Sequence, residues 1–339
     1  MSRHRLSLLE VALASALATS PVLAGTLYHV VDLGPGTGDA IDNHGNVAGR
    51  QVAAPFSALT WRKKQATVLP DFGEGGFARA INGPGAIVGE AADGGVLHPV
   101  LWTTDGQLHD LGAPPPGDVS GVALGIDNAG EIVGTWQLPA PPWTTSFLVD
   151  AAGVMGPFPL APGGRSPIVE AMNVHGQVVG TTLAPTNGRG YVCFIYGAKG
   201  VVDFGTALDW YSCSATAISS AGHVGGSVGV AATSRVEAFL WTGGQPQPLG
   251  VLPGDARSEV IGLNASDVVV GNSLFDNGFA HPFVWSEGVM TPLSELLDES
   301  GQHWSTLRIS GINDAGEISG SGILNGKTEH AFILRPIAD

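Results

Sequence analysis

Hydrophobic and polar residues alternate in short runs along nearly the whole chain, and clusters of glycine, proline, asparagine and aspartate separate the runs. One group of runs recurs seven times. It contains Ile-Asn-x-x-Gly, then x-Ile-Val-Gly, then His-Ala-Phe-Leu-Trp or close variants, as in residues 311–320 and 330–334. Alternation over four to eight residues between turn residues is typical of β-strands. The pattern therefore predicts an all-β protein made of repeats.

The glycine that closes the x-Ile-Val-Gly run sets the period of the repeat. Successive copies of this glycine are separated by 40, 45, 46, 46, 45 and 49 residues. Periods of about 40 to 50 residues with several short strands indicate the blades of a β-propeller. We name the predicted strands of a repeat a to d: strand a leads into the Asn-x-x-Gly turn, b carries the glycine, c carries the His-Ala-Phe run, and d resembles Asp-Leu-Gly. The copies of the glycine are Gly49, Gly89, Gly134, Gly180, Gly226, Gly271 and Gly320.

The seventh repeat lacks strand d, and an orphan copy of that strand lies at the other end of the chain. Residues 330–336 are not followed by an Asp-Leu-Gly segment, whereas Asp32-Leu33-Gly34 precedes the first repeat. A closed ring explains this order, because the N-terminal strand can complete the last blade and remove exposed strand edges. We therefore predict one domain over residues 25–339, a seven-bladed β-propeller of four-stranded blades closed by an N-terminal strand.

Residues that recur in every repeat are interpreted as scaffold. Asn, Asp or Ser at the first position of the a–b turn suits capping of a type I turn, which we favour over a cation-binding ring. The repeated Trp and Phe of strand c suit the core between blades. His98, His281 and His330 occupy equivalent points of separate blades, so they favour hydrogen bonding over a shared metal ion. The glycine inside strand b indicates a bulge or a close backbone approach, which we place near the axis where blades converge.

Residues 1–24 resemble a secretory signal peptide, with Arg3 and Arg5 ahead of an apolar stretch and a small residue, Ala24, at the predicted cleavage site. No other run is long enough for a membrane span. The net charge of −15 argues against a nucleic-acid partner. We expect a secreted or periplasmic monomer. In such a compartment Cys193 and Cys213 either form a disulfide or remain two buried thiols.

Taken together, these repeats resemble the extracellular repeat family named HAF after its His-Ala-Phe motif. His330-Ala331-Phe332 matches that motif literally, and residues 311–320 match the segment ahead of it. His98-Pro99-Val100, His281-Pro282-Phe283 and Glu237-Ala238-Phe239 match in part. The resemblance extends over roughly residues 26–336. It implies export and a repeat scaffold, and it implies no particular activity.

Three irregular connections are the candidate sites, because they break the repeat on the face that carries the b–c and d–a connections. Exposed aromatic rings beside carboxylates suit the stacking and hydrogen bonding of sugar rings. The alternative is that these aromatic side chains cover the tops of neighbouring blades. The candidates are Trp136 and Trp143 in the third repeat, Asp209, Trp210 and Tyr211 after the fourth, and Asp298, Glu299, His303 and Trp304 before the seventh.

The sequence assigns no catalytic, metal or cofactor site. Residues 225–229 fit the Gly-x-Ser-x-Gly pattern, but they form strand b of the fifth repeat and do not lie at the strand-to-helix turn of a nucleophile elbow. The sequence contains no His-Glu-x-x-His helix and no phosphate loop. Three functions stay open: a non-catalytic propeller that binds a glycan or a protein, an extracellular or envelope scaffold, and a polysaccharide hydrolase or lyase. The last needs two carboxylates within reach of one sugar, and Asp209, Asp298 and Glu299 are the residues that would supply them.

Overall fold

The computed structural model describes residues 26–112, 120–139, 144–161, 163, 165–183, 190–204, 210–244 and 246–337. These residues form seven four-stranded antiparallel sheets, the blades. In chain order the strands are β1 (Tyr28–Pro35), β2 (Thr37–Ile41), β3 (Val47–Arg50), β4 (Ala58–Arg62), β5 (Gln65–Val68), β6 (Gly76–Ile81), β7 (Ile87–Asp93), β8 (Val96–Trp102), β9 (Leu108–Asp110), β10 (Gly121–Ile126), β11 (Ile132–Gln137), β12 (Thr144–Val149), β13 (Met155–Pro157), β14 (Pro167–Met172), β15 (Val178–Leu183), β16 (Tyr191–Gly197), β17 (Gly200–Phe204), β18 (Trp210–Ile218), β19 (Val224–Val230), β20 (Arg235–Trp241), β21 (Gln247–Gly250), β22 (Arg257–Leu263), β23 (Val269–Leu274), β24 (Ala280–Ser286), β25 (Val289–Pro292), β26 (Trp304–Ile312), β27 (Ile318–Leu324) and β28 (Thr328–Pro336).

The blades form a closed ring, as predicted. Blade 1 consists of β2–β5, blades 2 to 6 take the next four strands each, and blade 7 consists of β26, β27, β28 and β1. The innermost strand of each blade contacts that of the next, and β26 of blade 7 contacts β2 of blade 1. The protein is therefore a seven-bladed β-propeller, with its strands a around the central channel.

The N-terminal strand closes the last blade, which confirms the prediction from the orphan Asp-Leu-Gly. β1 runs antiparallel to β28 from the Tyr28–Pro336 pair to the Pro35–His330 pair. Beyond this pairing, the backbone N–H of Ile337 donates to the carbonyl oxygen of Leu27 over 2.8 Å. The two ends of the described ring are thus hydrogen-bonded neighbours.

The long connection between blades 6 and 7 covers the outer edge of β1. It contains two short 3-10 helices, Leu293–Glu295 and Glu299–His303. Between them, the carbonyl of Leu296 accepts a hydrogen bond from the N–H of Tyr28 (2.7 Å), and the N–H of Asp298 donates to the Tyr28 carbonyl (3.0 Å). These bonds satisfy backbone groups that an edge strand would otherwise leave open to another chain.

The repeated aromatic residues of strand c form the core between blades, as expected. They are nearly inaccessible to solvent, and burying each contributes roughly 1.5–3 kcal/mol relative to exposure. The fully buried members are Trp61, Trp102, Phe147, Phe194, Phe239, Phe283 and Phe332.

The glycine of strand b is required by a bulge within its own blade. In each blade strand a carries one extra residue opposite this glycine, so the strand-a carbonyl is pushed towards strand b. A Cβ on Gly89 would lie 1.9 Å from the carbonyl oxygen of Phe77, and one on Gly226 would lie 1.9 Å from that of Ser214. The predicted close approach is confirmed. Its source is strand a of the same blade, and not the convergence of neighbouring blades.

The a–b turns are capped by their first side chains and joined to one another. The carboxylate oxygen Oδ1 of Asp42 accepts from two backbone N–H groups of its own turn. Where the capping residue is asparagine, its amide also donates to the carbonyl of the next blade's turn, as Asn82 does to Asp127 at 2.8 Å. Asn313 donates to Asp42 at 2.9 Å and so links blade 7 to blade 1. Capping is confirmed, and it contributes bonds between blades.

The histidines of strand c pair with the aspartates at the d–a end of a blade. His330 Nδ1 donates to Asp32 over 2.9 Å, and the same carboxylate oxygen accepts from the Gly34 N–H. His98 pairs with Asp110 at 3.2 Å in the same way. His281 pairs with Asp255 at 3.1 Å, on the connection that follows strand d. The hydrogen-bonding role expected for these histidines is confirmed.

A disulfide joins blades 4 and 5. Cys193 of β16 is bonded to Cys213 of β18, with the two Cα atoms 5.3 Å apart. The structure therefore decides between the two states left open for these cysteines. In the described residues there is no helix of the length and hydrophobicity that crossing a membrane requires.

Candidate functional site

The connections of the propeller divide it into two faces. The b–c and d–a connections emerge on one side, which we call the loop face, and the a–b and c–d turns emerge on the other, the turn face. Loops that vary between repeats on a rigid scaffold are where binding residues are most often found. The loop face is therefore the first place to look for a site.

Exposed aromatic rings lie on the loop face. In the described ranges, the phenylalanine and tyrosine side chains classed as exposed all belong to b–c or d–a connections or to strand ends beside them. The most exposed is Phe279, at 72%. Exposed rings of this kind offer apolar faces to a ligand, and none of them is needed to fill the core. They are Phe56, Phe72, Tyr191, Phe275 and Phe279.

A shallow groove on blade 6 is lined by one of these rings, that of Phe275. It has a volume of about 260 Å³ and is lined by Ala256, Arg257, Phe275, Asp276, Asn277 and Gly278. The hairpin turn is held by backbone bonds from the N–H of Phe275 to the carbonyl of Phe279 and from the N–H of Gly278 to the carbonyl of Phe275. Phe275 packs edge-on against His281 with ring centres 4.6 Å apart. The groove thus combines a fixed apolar wall with polar side chains, including that of the exposed Arg257.

At the turn face a single carboxylate bridges several blades. Asp314 of blade 7 accepts hydrogen bonds from Asn43 of blade 1 (2.8 Å), Ser220 of blade 5 (2.9 Å) and the N–H of Ala265 of blade 6 (2.9 Å). Burial acts to raise the pKa of Asp314, but these three hydrogen bonds outweigh it and lower the pKa below its usual value. The carboxylate of Asp314 therefore joins the a–b turns of blades 5, 6 and 1 to that of blade 7 at the turn face.

At the loop-face end of the channel, three arginines and three carboxylates from blades 7, 1 and 2 form a continuous group. We call it the arginine arc. Each arginine has a carboxylate partner: Arg79 bonds Glu90, with the shortest distance 2.5 Å, Arg308 bonds Glu329 at 2.9 Å, and Arg50 lies 4.0 Å from Asp39. The arc therefore consists of Arg50, Arg79, Arg308, Asp39, Glu90 and Glu329.

Within the arc the carboxylates are buried more deeply than the guanidiniums. The Glu90 side chain is 3% exposed and that of its partner Arg79 is 44% exposed. Burial raises the pKa of Glu90 above its usual value, although the hydrogen bond and charge of Arg79 act to lower it. Burial likewise raises the pKa of Asp39 despite the nearby Arg50. In each pair the guanidinium is thus more exposed to solvent than its carboxylate partner.

One aromatic ring joins two of the arginines. The guanidinium carbon of Arg50 lies 4.7 Å from the ring centre of Phe77, and that of Arg79 lies 5.4 Å from it. Guanidinium groups are attracted to aromatic faces at these distances. Phe77 therefore orients the arginines of blades 1 and 2 together.

At the position after the strand-b glycine, blades 1 and 2 carry charged residues and the other blades carry neutral ones. The residue after the strand-b glycine is Arg50 in blade 1 and Glu90 in blade 2. In blades 3 to 7 it is a hydroxyl or amide residue: Thr135, Thr181, Ser227, Asn272 and Ser321. The fold therefore accepts small neutral polar groups at this position, and the charges of blades 1 and 2 are a local addition.

The residues predicted as candidates fall in four different situations. Trp136 is 3% exposed and packs on Phe147, with ring centres 5.3 Å apart, so it belongs to the core. Glu299 and His303 are exposed. Trp304 is half-buried and packs edge-on against Phe332. Trp143 and Asp209, with residues 1–24, lie outside the described residues, as do the side chains of Trp210 and Tyr211, whose backbone begins β18.

Asp298 acts as a cap of a 3-10 helix. One carboxylate oxygen accepts from the N–H and the hydroxyl of Ser300, and the other accepts from His29 Nδ1 at 2.9 Å. These bonds, that of the Ser300 hydroxyl first, lower the pKa of Asp298. The Ser300 hydroxyl bonds the carboxylate and also accepts from the N–H of Val30, so these residues lack the serine–histidine contact of a nucleophilic triad.

The arginine arc was not predicted from the sequence, because its residues lie on repeated strands that were interpreted as scaffold. A signal was present: only 13% of the chain is charged, yet Asp39, Arg50, Arg79 and Glu90 lie on strands a and b, which carry no charged residue in the third and fifth repeats. Among the described residues, no group of three or more His, Cys, Asp or Glu is arranged to hold a metal ion.

Comparison with known proteins identifies the fold and no family. No protein-family model matches the chain, and no curated protein sequence matches it. The structure is similar to virginiamycin B lyase from Staphylococcus aureus, with 12% identity, a TM-score of 0.51, and 92% of this chain and 95% of that chain covered.

Two further structures give the same result. A catalytically inactive virginiamycin B lyase from Staphylococcus aureus with quinupristin has 14% identity and a TM-score of 0.53, with 91% of this chain and 100% of that chain covered. An acylaminoacyl peptidase from Pyrococcus horikoshii has 10% identity and a TM-score of 0.51, with 92% of this chain and 52% of that chain covered. At such identities these likenesses show the fold alone.

Proposed function

We propose that this chain is an exported, non-catalytic β-propeller that binds a glycan through its loop face. The observation that carries the proposal is the exposed aromatic set of that face, above all Phe275, which lines the blade 6 groove, and Phe279 on the same hairpin. Aromatic rings next to a few polar groups are suited to sugar rings, whose C–H groups pack on the ring while hydroxyls hydrogen-bond at its edge.

Three features support export. The Cys193–Cys213 disulfide is of the kind that persists in oxidising compartments. Residues 1–24 have the composition of a signal peptide, and the repeats resemble an extracellular family. Export would bring the loop face into contact with cell-wall or extracellular polysaccharide.

A glycan array probed with residues 25–339 tests the proposal. Phe279→Ala and Tyr191→Ala are expected to weaken glycan binding about tenfold each, corresponding to about 1.4 kcal/mol. Both side chains are exposed, so the variants should unfold at the same temperature as the parent. Val154→Ala is the matched control, because Val154 is 63% exposed on a c–d turn of the opposite face.

Two results would contradict the proposal. One is an array without binding, together with capture of a protein that Phe279→Ala abolishes, which would make the aromatic set a protein-binding surface. The other is an equal loss of glycan binding in Val154→Ala, which would separate binding from the loop face.

A further inference from the structure

We propose that the arginine arc is a carboxylate-binding subsite, which takes the acid group of a uronate-containing glycan at the loop-face end of the channel. This inference rests on the proposed glycan-binding function and names the class of glycan. Within blade 7, Arg308 bonds Glu329, whose backbone carbonyl accepts from the N–H of Gly36 immediately before blade 1 (3.2 Å). Phe77 then joins Arg50 of blade 1 to Arg79 of blade 2, so the arc is contiguous across the three blades.

The guanidiniums keep donors free for a ligand. An arginine has five N–H donors in a planar fork that matches a carboxylate. Within the described residues, Arg79 donates through Nε and Nη2 to Glu90, and Arg308 donates through Nη1 to Glu329. Arg50 donates through Nε to Thr37 at 3.4 Å. The side chains of Arg79, Arg308 and Arg50 are 44%, 66% and 40% exposed, so the remaining donors can reach solvent or a ligand.

The charges of the arc are not explained by stability. Taking a carboxylate such as Glu90 out of water costs free energy that its partner only partly offsets, and neutral replacements of buried ion pairs are often as stable or more stable. Blades 3 to 5 show such a replacement, since threonine or serine occupies the position of Glu90 there. The arrangement is better explained by what the buried acids do to the arginines: they fix the direction of each fork.

The direction of approach follows from the two ends of the channel. Asp314 bridges blades at the turn-face end, whereas the arc and the exposed aromatic rings are at the loop-face end. The net charge of −15 repels anions at long range, so recognition depends on direct bonds at short range. A carboxylate attached to a sugar that packs on the aromatic rings would approach from the loop face and would be held close enough to the arc for direct bonds.

An array of uronate oligosaccharides tests the inference, with each compound printed beside its carboxyl-reduced neutral form and a sulfated oligosaccharide of equal length. Arg308→Gln is expected to weaken binding of the uronates about tenfold and to leave binding of the neutral forms unchanged. Arg308→Lys should also bind the uronates weakly, because an ammonium lacks the planar fork of a guanidinium.

Arg335→Gln is the matched control. Arg335 forms the same kind of ion pair, with Glu317 at 2.9 Å and a side chain 48% exposed, but at the turn-face end of β28. It should bind uronates like the parent.

The failures of the two proposals are distinguishable. If neutral and uronate oligosaccharides bind alike and both depend on Phe279, the subsite is refuted and the glycan function stands. If sulfated compounds bind as tightly as uronates, the carboxylate assignment is wrong. If Arg308→Lys restores binding, recognition by the planar guanidinium fork is refuted. If no oligosaccharide binds, both proposals fail together.

Discussion

The channel wall differs between blades 7, 1 and 2 on one side and blades 3, 4 and 5 on the other. Both sides have the same backbone, with a bulge in strand a opposite the strand-b glycine. In blades 1 and 2 the bulge and the position after the glycine carry Asp39, Arg50, Arg79 and Glu90, whereas blade 7 has serines there and carries its charges on Arg308 and Glu329. On the second side they carry Leu124, Thr135, Thr181, Thr216 and Ser227, with Glu170 as the one charged residue.

The comparison shows which residues the fold requires. Glycine and the buried aromatic residue recur on both sides, because a Cβ would clash with the bulge carbonyl and the core would otherwise be empty. The charges occur on one side only, apart from Glu170. The backbone geometry therefore does not require these charges, and they can serve to bind a ligand.

The largest expected effect comes from removing the strand that completes the charged side. Deleting residues 26–36 takes away β1 and with it the buried side chains of Tyr28, Val30, Val31 and Leu33. At roughly 1.5–3 kcal/mol each, their loss is comparable to the whole stability of about 5–15 kcal/mol of a typical domain. We expect a protein that aggregates or lacks a cooperative thermal transition, measured by calorimetry and light scattering.

A deletion variant that remains monomeric and melts at the parent temperature would refute closure of the ring by β1. Hydrogen exchange sharpens the comparison, because amides of β28 should lose protection first and those of blades 3 to 5 last.

A smaller effect is expected when the charged residues of blade 2 are replaced with the neutral residues found at the same positions of blade 3. Arg79→Leu alone leaves Glu90 buried without its partner and should cost about 3 kcal/mol at neutral pH. Arg79→Leu with Glu90→Thr reproduces the Leu124 and Thr135 of blade 3 and should be as stable as the parent or more so. Urea denaturation gives both values, and an equal loss in the single and double variants would show that the pair stabilises the fold.

The cost of Arg79→Leu should depend on pH. Burial raises the pKa of Glu90 in the folded protein, so the charged carboxylate destabilises the fold above that pKa, and the penalty disappears as pH falls below the unfolded value of about 4.3. The single variant should therefore approach the parent at acid pH, while the double variant shows no such trend.

The smallest effect is expected at Glu170, the one charged residue at these positions in blades 3 to 5. Partial desolvation of its carboxyl raises the pKa of Glu170, which lies at the bulge of blade 4. Glu170→Gln should therefore stabilise the fold at pH 7, and the gain should vanish below about pH 4 as the parent carboxyl becomes protonated. Since the residue as a whole is exposed, solvent screens its charge and we expect at most about 0.5 kcal/mol. Glu295→Gln, on the exposed connection before blade 7, is the control for urea denaturation at both pH values.

The architecture could be predicted from the sequence because its causes are repeated. Seven copies of the glycine, of the turn that begins with aspartate, asparagine or serine, and of the strand-c aromatic residue each report the same local requirement, so the register of the blades follows from their spacing. The orphan Asp32-Leu33-Gly34 then indicated closure, and the Tyr28–Pro336 pairing confirms it. The backbone bonds by which Leu296 and Asp298 cover the edge of β1 were not predicted. The connection between blades 6 and 7 that carries them occurs only once, so the repeats do not indicate where it lies relative to β1.

The candidate site was harder to predict because it depends on contacts between blades. Residues such as Arg50 and Phe77 are 27 positions apart and meet only because neighbouring blades bring strand b of one beside strand a of the next. Irregular loops were a useful guide to the loop face as a whole. They were a poor guide to individual side chains, since Trp136 lies in the core and Asp298 caps a helix.

The bond between Leu27 and Ile337 has a practical consequence for how the molecule can be handled. Both residues lie at the turn-face end of blade 7, so a tag, a fluorophore or a solid support joined at either end of the ring is directed away from the aromatic rings and the arginine arc. A chip that holds the protein by one end would present every molecule in the same orientation, with the loop face towards the solution.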